Sequence, residues 1–286
     1  MQKIPVRYIN QALQEPGFSG GFSMRALEDF MEKKDMLQEL HRHNFYYVLV
    51  LKKATGEHSI DFTPYPVKDD TVFFMRPGQI HQLFLKKSSR GYLIHFTEDF
   101  YAPAEAAARQ VLRRISTRNC FPMEQAQFRR LYQVLEIIHR EYTEKQDRYK
   151  QAIKSALDIV FLEMLRQEGQ QESPDEHQEY MQKRLDELLE LIEKHLPEHK
   201  QVAFYAAALH LSSYQLNAVT KTLLGKSCSE LINDMIILEA RRLLLATTNQ
   251  VNQVAAMLGY EDISYFIRFF RKHTGFSPKS YRNNFR

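Results

Sequence analysis

The sequence predicts an α+β multidomain chain, with an N-terminal β-barrel, flanking helices and a C-terminal all-α domain of two helix-turn-helix units. Three observations carry that expectation. Short apolar runs separated by turn residues fill the first third, and apolar residues stepping by three and four follow from Ala104. The last third repeats itself with a period near 50 residues. At 286 residues the chain is long enough for about two independent cores.

The strands come first. Phe45-Tyr46-Tyr47-Val48-Leu49-Val50-Leu51 is an apolar run rich in β-formers, followed by the turn-prone Thr55-Gly56. His58 to Phe62 alternates polar and apolar residues, and Thr71 to Met75 is stopped by Pro77-Gly78. His81 to Leu85 and Tyr92 to Phe96 follow at the spacing of a small all-β barrel or sandwich. Beyond Ala104, Phe128, Leu131, Tyr132, Leu135, Ile138 and Tyr142 share one helical face, as do Ile153, Ala156, Leu157, Val160, Phe161 and Met164. These helices, Glu124 to Tyr142 and Tyr149 to Leu165, form either a lid on the barrel or an oligomer interface. One barrel offers too little surface to cover both stripes, so a homodimer through this region is expected. The polar stretch Arg166 to Glu172, interrupted by Gly169, is the linker candidate. The expected boundaries are 1–103 for the barrel, 104–168 for the helical linker and dimerisation region, and 173–286 for the all-α domain.

Within that last domain three helix starts carry the Ser-x-x-Glu/Gln pattern, in which two orphan backbone donors are satisfied reciprocally: Ser173 with Glu176, Ser212 with Gln215 and Ser227 with Glu230. Pro174 stands at a first helical position, and Gly225 and Gly275 stand where helices stop. Ala206 and Ala255 are 49 residues apart, as are Leu209 and Leu258; Leu216 and Phe266, Gly225 and Gly275, and Ser227 and Ser277 are 50 apart. Each copy reads helix, tight turn, helix, at about 200–225 and 250–275, with a small alanine where the two helices cross. That is a helix-turn-helix, whose second helix fits a DNA major groove.

Charge distribution supports this. The whole chain has 39 Lys and Arg against 35 Asp and Glu, too mild a balance to identify a partner. From Ser264 to Arg286, however, Arg268, Arg271, Lys272, Lys279, Arg282 and Arg286 meet no acidic residue, which makes a phosphate-seeking patch.

The run Val254-Ala255-Ala256-Met257-Leu258-Gly259-Tyr260-Glu261-Asp262-Ile263-Ser264-Tyr265-Phe266-Ile267-Arg268-Phe269-Phe270-Arg271-Lys272-His273-Thr274-Gly275-Phe276-Ser277-Pro278, then Tyr281-Arg282, resembles the signature of the AraC family of transcription regulators. The resemblance covers about Ser173 to Arg286. It implies two helix-turn-helix units bridged by one long helix, here Ser229 to Leu245, binding double-stranded DNA, with RNA polymerase as a partner and activation as the outcome. Copy one departs from the family pattern: Ala218 stands where Arg is usual, Thr220 where Phe is usual, His210 in place of the turn Gly, and Ile236 in place of an Arg on the linking helix. The expected DNA-contacting residues are Tyr214, Gln215, Asn217 and Lys221 in copy one, and Ser264, Ile267, Arg268, Arg271 and Lys272 in copy two. Arg268 is expected to make copy two the stronger base reader.

In the front third, His41-Arg42-His43 and Pro77-Gly78-Gln79-Ile80-His81 resemble in spacing the two motifs of the cupin barrel. The resemblance implies a cupin-like sensor whose pocket, lined by His41, His43, Tyr47 and His81, holds a small-molecule effector. Arg25, Arg76 and His95 are further candidates for its lining. Metal-binding cupins carry a Glu where this chain has Tyr47, so no metal and no cofactor is expected. Two rival readings remain: a cupin-type metalloenzyme using the three histidines, and a regulator that senses a protein partner.

Other classes are excluded by what is missing. No Gly-rich phosphate loop, nucleophile elbow or cysteine beside a base is present, so no catalytic residue is expected. Cys120 and Cys228 alone make no disulfide framework. Met1 to Gly20 has no signal-like apolar core and no run is long enough to span a bilayer, so a cytoplasmic, non-membrane protein is expected.

Overall fold

The computed structural model describes residues 6–7, 21–31, 34–103, 105–166 and 176–285. The linker candidate around Gly169, the Ser173 cap with Pro174, and the terminal Arg286 lie outside them. The chain divides into two compact units, one within residues 5–172 and the other within 173–286. The architecture is α+β, with an all-α C-terminal unit. No helix among the described residues is long and apolar enough to cross a membrane.

The first unit runs β1 (Val6–Arg7), β2 (Phe22–Ala26), α1 (Leu27–Met31), β3 (Met36–His43), β4 (Tyr46–Lys53), β5 (Gly56–Ile60), β6 (Thr63–Val67), β7 (Thr71–Met75), β8 (Ile80–Leu85) and β9 (Arg90–Phe96). It continues with α2 (Ala106–Ser116), β10 (Cys120–Pro122), α3 (Gln125–Glu144) and α4 (Tyr149–Arg166). The closed cupin-like barrel expected from the sequence does not form. The strands make two open five-stranded sheets, ordered β1-β3-β8-β5-β6 and β10-β7-β4-β9-β2. Their edges explain why closure fails. Outer strand β6 carries Pro64 and Pro66, which have no N–H to offer a further strand, while β1 has two residues and β10 three, ending at Pro122.

The second sheet is the middle layer. Tyr47, Leu49, Leu51, Phe73, Met75 and Leu93 share a core with Ile60, Val67, Leu83 and Leu85 of the first sheet. Their neighbours in sequence, Val48, Val50, Val72, Phe74, Ile94 and Phe96, share another core with α3 and α4. A strand buried on both faces loses its polar alternation, which is why Tyr46–Leu51 and Thr71–Met75 read as unbroken apolar runs.

The helical stripes therefore have a different partner from the one expected. Phe128, Leu131, Leu135 and Ile138 of α3, and Ile153, Leu157, Val160, Phe161 and Met164 of α4, are buried against the middle sheet of the same chain. Both stripes are thus covered within the chain. Buried Glu163 in the α4 stripe is held by Arg166 at 2.7 Å and Arg130 at 3.4 Å.

The second unit comprises α5 (Glu176–His195), α6 (Val202–Ala208), α7 (Ser213–Leu224), α8 (Cys228–Ala246), α9 (Val251–Met257), α10 (Ile263–Thr274) and α11 (Pro278–Phe285). The repeat is visible throughout: α6 and α7 recur as α9 and α10, and Gly225 and Gly275 close α7 and α10 in the left-handed conformation. Capping boxes form at Ser212–Gln215 and Ser227–Glu230, and Ala206 and Ala255 are buried where each short helix meets its partner.

Leu135 has no exposed surface in the shared core. We expect Leu135→Ala to cost about 2–5 kcal/mol in chemical denaturation of the first unit. The transition of the second unit should stay unchanged.

Candidate nucleic-acid interface and histidine cluster

Helix α10 starts where Asp262 accepts the N–H of Ser264 at 2.7 Å. Phe266 and Phe270 are wholly buried, which fixes the opposite side of the helix outward. Arg268 lies at the middle of that outward side, with Ser264, Arg271 and Lys272 around it, all exposed. Its guanidinium sits 3.8 Å from the exposed Asp262 carboxylate. Ile267 is only half exposed. Lys279 is exposed just beyond, on α11. Arg282, read from the sequence as part of the patch, is used inside the domain, where its Nε donates to the Leu244 carbonyl at 2.8 Å near the end of α8. That carbonyl is one of the orphan acceptors at a helix end.

Copy one is arranged differently. Tyr214 is 84% exposed and Lys221 is exposed, so both are open to DNA. Gln215 and Asn217 have structural work. Gln215 Oε1 accepts the Ser212 N–H at 2.9 Å. Asn217 Oδ1 accepts the Cys228 N–H at 2.9 Å while its Nδ2 donates to the Ser213 carbonyl, also at 2.9 Å. Asn217 thereby ties α7 to the first turn of α8. Ala218 stands at the position equivalent to Arg268 and supplies no polar group.

The tight turns also differ. Gly259 takes φ +69° at the α9–α10 turn, where a Cβ would meet the Pro197 carbonyl oxygen at 1.7 Å. Lys200 Nζ bridges the carbonyls of Pro197 and Gly259 at 2.8 and 3.1 Å. In copy one His210 takes the same left-handed region at φ +54°, which a side chain makes unfavourable.

In the first unit the structure brings the expected pocket histidines together, as neighbours in one sheet and not across a barrel. His41 and His43 lie on β3, and His81 on β8 directly opposite His41. Their Nε2 atoms form a triangle: 3.1 Å between His41 and His43, 2.8 Å between His43 and His81, 3.0 Å between His81 and His41. His41 Nδ1 faces the Glu39 carbonyl at 2.6 Å, and His81 Nδ1 faces His58 Nε2 at 2.9 Å. Tyr47 comes from the opposing sheet, its ring stacked on that of His43 at 5.2 Å between centroids. His95, its partner in register across β4 and β9, lies 5.1 Å from the Tyr47 ring. All six side chains are buried. Burial, with His41 beside it, holds the His58 imidazole down to about 3, so that ring is neutral near pH 7.

His58 was not among the expected pocket residues. The alternation of β5 contains the signal, since His58 and Ile60 share a face and Ile60 pairs with His81. Arg25 and Arg76 are half-buried. A separate cleft of about 500 Å³ opens beside α2 and α4, lined by Tyr101, Pro103, Val111, Lys154, Asp158 and Leu162 among others.

A family model described as a helix-turn-helix domain matches residues 205–284. The second unit thus contains a helix-turn-helix domain. Along most of its length the chain is similar to proteins named HTH-type transcriptional activator RhaS. The one from Escherichia coli O1:K1 / APEC is 24% identical, covering 93% of this chain and 94% of that protein. The one from Enterobacter sp. (strain 638) is 23% identical with the same coverage. Among solved structures, the C-terminal domain of the response regulator yesN from Fusobacterium nucleatum is 28% identical over 33% of this chain and 93% of that one, with a TM-score of 0.32. ToxT from Vibrio cholerae O395 is 14% identical over 92% and 97%, with a TM-score of 0.45. By sequence, then, the chain is similar to helix-turn-helix transcription regulators along most of its length. Such regulators are not enzymes, which supports the absence of a catalytic function.

Relief of the backbone strain in copy one is directly measurable. His210→Gly is expected to stabilise the second unit by up to about 1 kcal/mol in denaturant. Gly259→Ala should destabilise it, because the added Cβ has no room beside Pro197.

Proposed function

We propose that this protein is a sequence-specific transcription activator that binds double-stranded DNA through α7 and α10 and answers to an effector acting on its first unit. One observation carries the reading: Arg268 stands at the centre of the outward face of α10, among Ser264, Arg271 and Lys272, and from Ser264 to Arg286 Asp and Glu are absent, the exposed Asp262 at the helix start being the acidic group beside Arg268. An arginine gripping guanine O6 and N7 contributes about 1–3 kcal/mol of discrimination per base pair. In this reading Arg268 and Ser264 address base edges, Arg271, Lys272 and Lys221 hold phosphates, and Ile267 and Tyr214 make apolar contacts beside them. Gln215 and Asn217 serve by holding α7 in place. The names of the RhaS relatives support activation, and RNA polymerase is the partner that an activator contacts. The effector is a small molecule acting on the layer of His41, His43, Tyr47 and His81 between the sheets, whose burial suits a ligand removed from water. Two free cysteines suit a reducing cytoplasm.

A homodimer also belongs to this reading, through a surface other than the buried stripes. Ile159 and Leu162 are 48% and 39% exposed on the side of α4 away from the sheet. The paired change Ile159→Asp with Leu162→Asp should give monomers by light scattering with the fold intact. A wild-type protein that is monomeric at micromolar concentration would refute the dimer.

Selection of bound sequences from random duplex DNA, followed by footprinting, tests the DNA reading. Two helices on one connecting helix should protect successive major grooves about 10 base pairs apart. Arg268→Ala should flatten preference at one or two base pairs. Lys272→Ala should weaken all sequences alike and reduce the salt slope by about one. Unchanged preference in Arg268→Ala would remove that residue from base reading.

A further inference from the structure

The histidine layer has a geometry that reaches beyond the DNA-binding reading. Three imidazole Nε2 atoms, from His41, His43 and His81, lie 2.8–3.1 Å from one another. His41 turns its Nδ1 toward the Glu39 carbonyl, which only accepts, so Nδ1 carries the proton and the Nε2 lone pair points inward. His81 directs its Nδ1 to His58 Nε2 in the same outward sense. Each of these two rings thus has its outer nitrogen held by a second group while its inner nitrogen joins the triangle. That is the arrangement by which outer partners orient metal-ligating histidines.

The triangle also has the right size. A point about 2.1 Å from all three nitrogens, the usual metal–imidazole distance, sees them at about 90° to one another. That is the angle between neighbouring ligands on one face of an octahedron; a tetrahedral ion would hold them about 3.4 Å apart. The carboxylate expected of a cupin metal site is replaced by Tyr47, but His58 behind His81 and the carbonyl behind His41 supply the orientation that the sequence pattern did not reveal. An all-imidazole donor set favours zinc, iron, nickel or copper over magnesium or calcium.

We propose that His41, His43 and His81 form a binding site for one divalent first-row transition-metal ion, with His58 as a positioning residue acting through His81. The site overlaps the layer to which the effector reading points, but it stands on geometry alone. Metal binding is read directly, and the DNA-binding reading stands or falls separately.

The test uses full-length protein made without a histidine tag, stripped with a chelator and titrated with Co2+ while visible absorption is followed. Expected is a ligand-field band that saturates at about one Co2+ per chain, is displaced by Zn2+ and is unaffected by Mg2+. His41→Gln should abolish the band. His58→Gln, which keeps all three ligands, should weaken Co2+ affinity about 10–100-fold with the circular dichroism spectrum unchanged. His195, the last residue of α5, and His199, four residues on, provide the control, and glutamine at both should leave the band intact. Folded wild-type protein that gives no saturable band overturns the proposal. So does a band that survives in folded His41→Gln or vanishes with the His195 and His199 pair. If His41→Gln fails to fold, the wild-type stoichiometry and the pair control decide.

Discussion

One irregularity in β3 sets the chemistry of the first unit. Between Gln38, opposite Leu83, and His41, opposite His81, the register with β8 slips by one residue. A strand alternates its side chains, so without this bulge Gln38 and His41 would point to opposite faces. With it both point inward, and Gln38, His41 and His43 are all buried. The bulge also presents the Glu39 carbonyl to His41 Nδ1, so the feature that turns the ring inward fixes which nitrogen faces the cluster. Everything said of the histidine layer depends on that one extra residue.

The middle sheet imposes the second constraint. Because β4, β7 and β9 are buried on both faces, they need a cover on each side: the first sheet on one, α3 and α4 on the other. The helices are thus part of the same hydrophobic unit as the strands. A signal that altered the packing between the sheets would be felt by the helices through a single layer of side chains. Val48 and Leu49, successive residues of β4, belong to the two different cores. A close-packed interior transmits such strain.

What was legible in the sequence follows the distance over which each feature is determined. The doubled helix-turn-helix, its glycine stops and its Ser212 and Ser227 caps are set within a few residues, and the structure has them where the sequence places them. Strand alternation put His41 and His43 on one face, whereas His81 was expected across a barrel and arrives through the pairing of β3 with β8. Sheet connectivity was not. The prolines that blunt β6 and the pairing of β3 with β8 are non-local, and a similar spacing of motifs on two open sheets reads as a barrel. Nor could helical position show that Asn217 and Arg282 are engaged, since their partners Cys228 and Leu244 lie 11 and 38 residues away in sequence. A polar residue on a helix looks the same whether it faces DNA or caps a neighbour.

That ambiguity bears on the asymmetry of the two copies. At matching positions copy two has Phe266, Arg268 and Phe270, and copy one has Leu216, Ala218 and Thr220. The outer members of both triplets are wholly buried, so copy one packs smaller side chains at the same places. Thr220 also turns its hydroxyl back to the Asn217 carbonyl at 3.2 Å, a polar group that a phenylalanine would not bring into the interior. The apolar area lost there removes stabilisation that scales at about 25 cal/mol per Å². The Asn217 bond to Cys228 N–H compensates in part, because it satisfies a donor at the first turn of α8 that has no partner within the helix. Copy one therefore keeps its place on α8 through the Asn217 side chain.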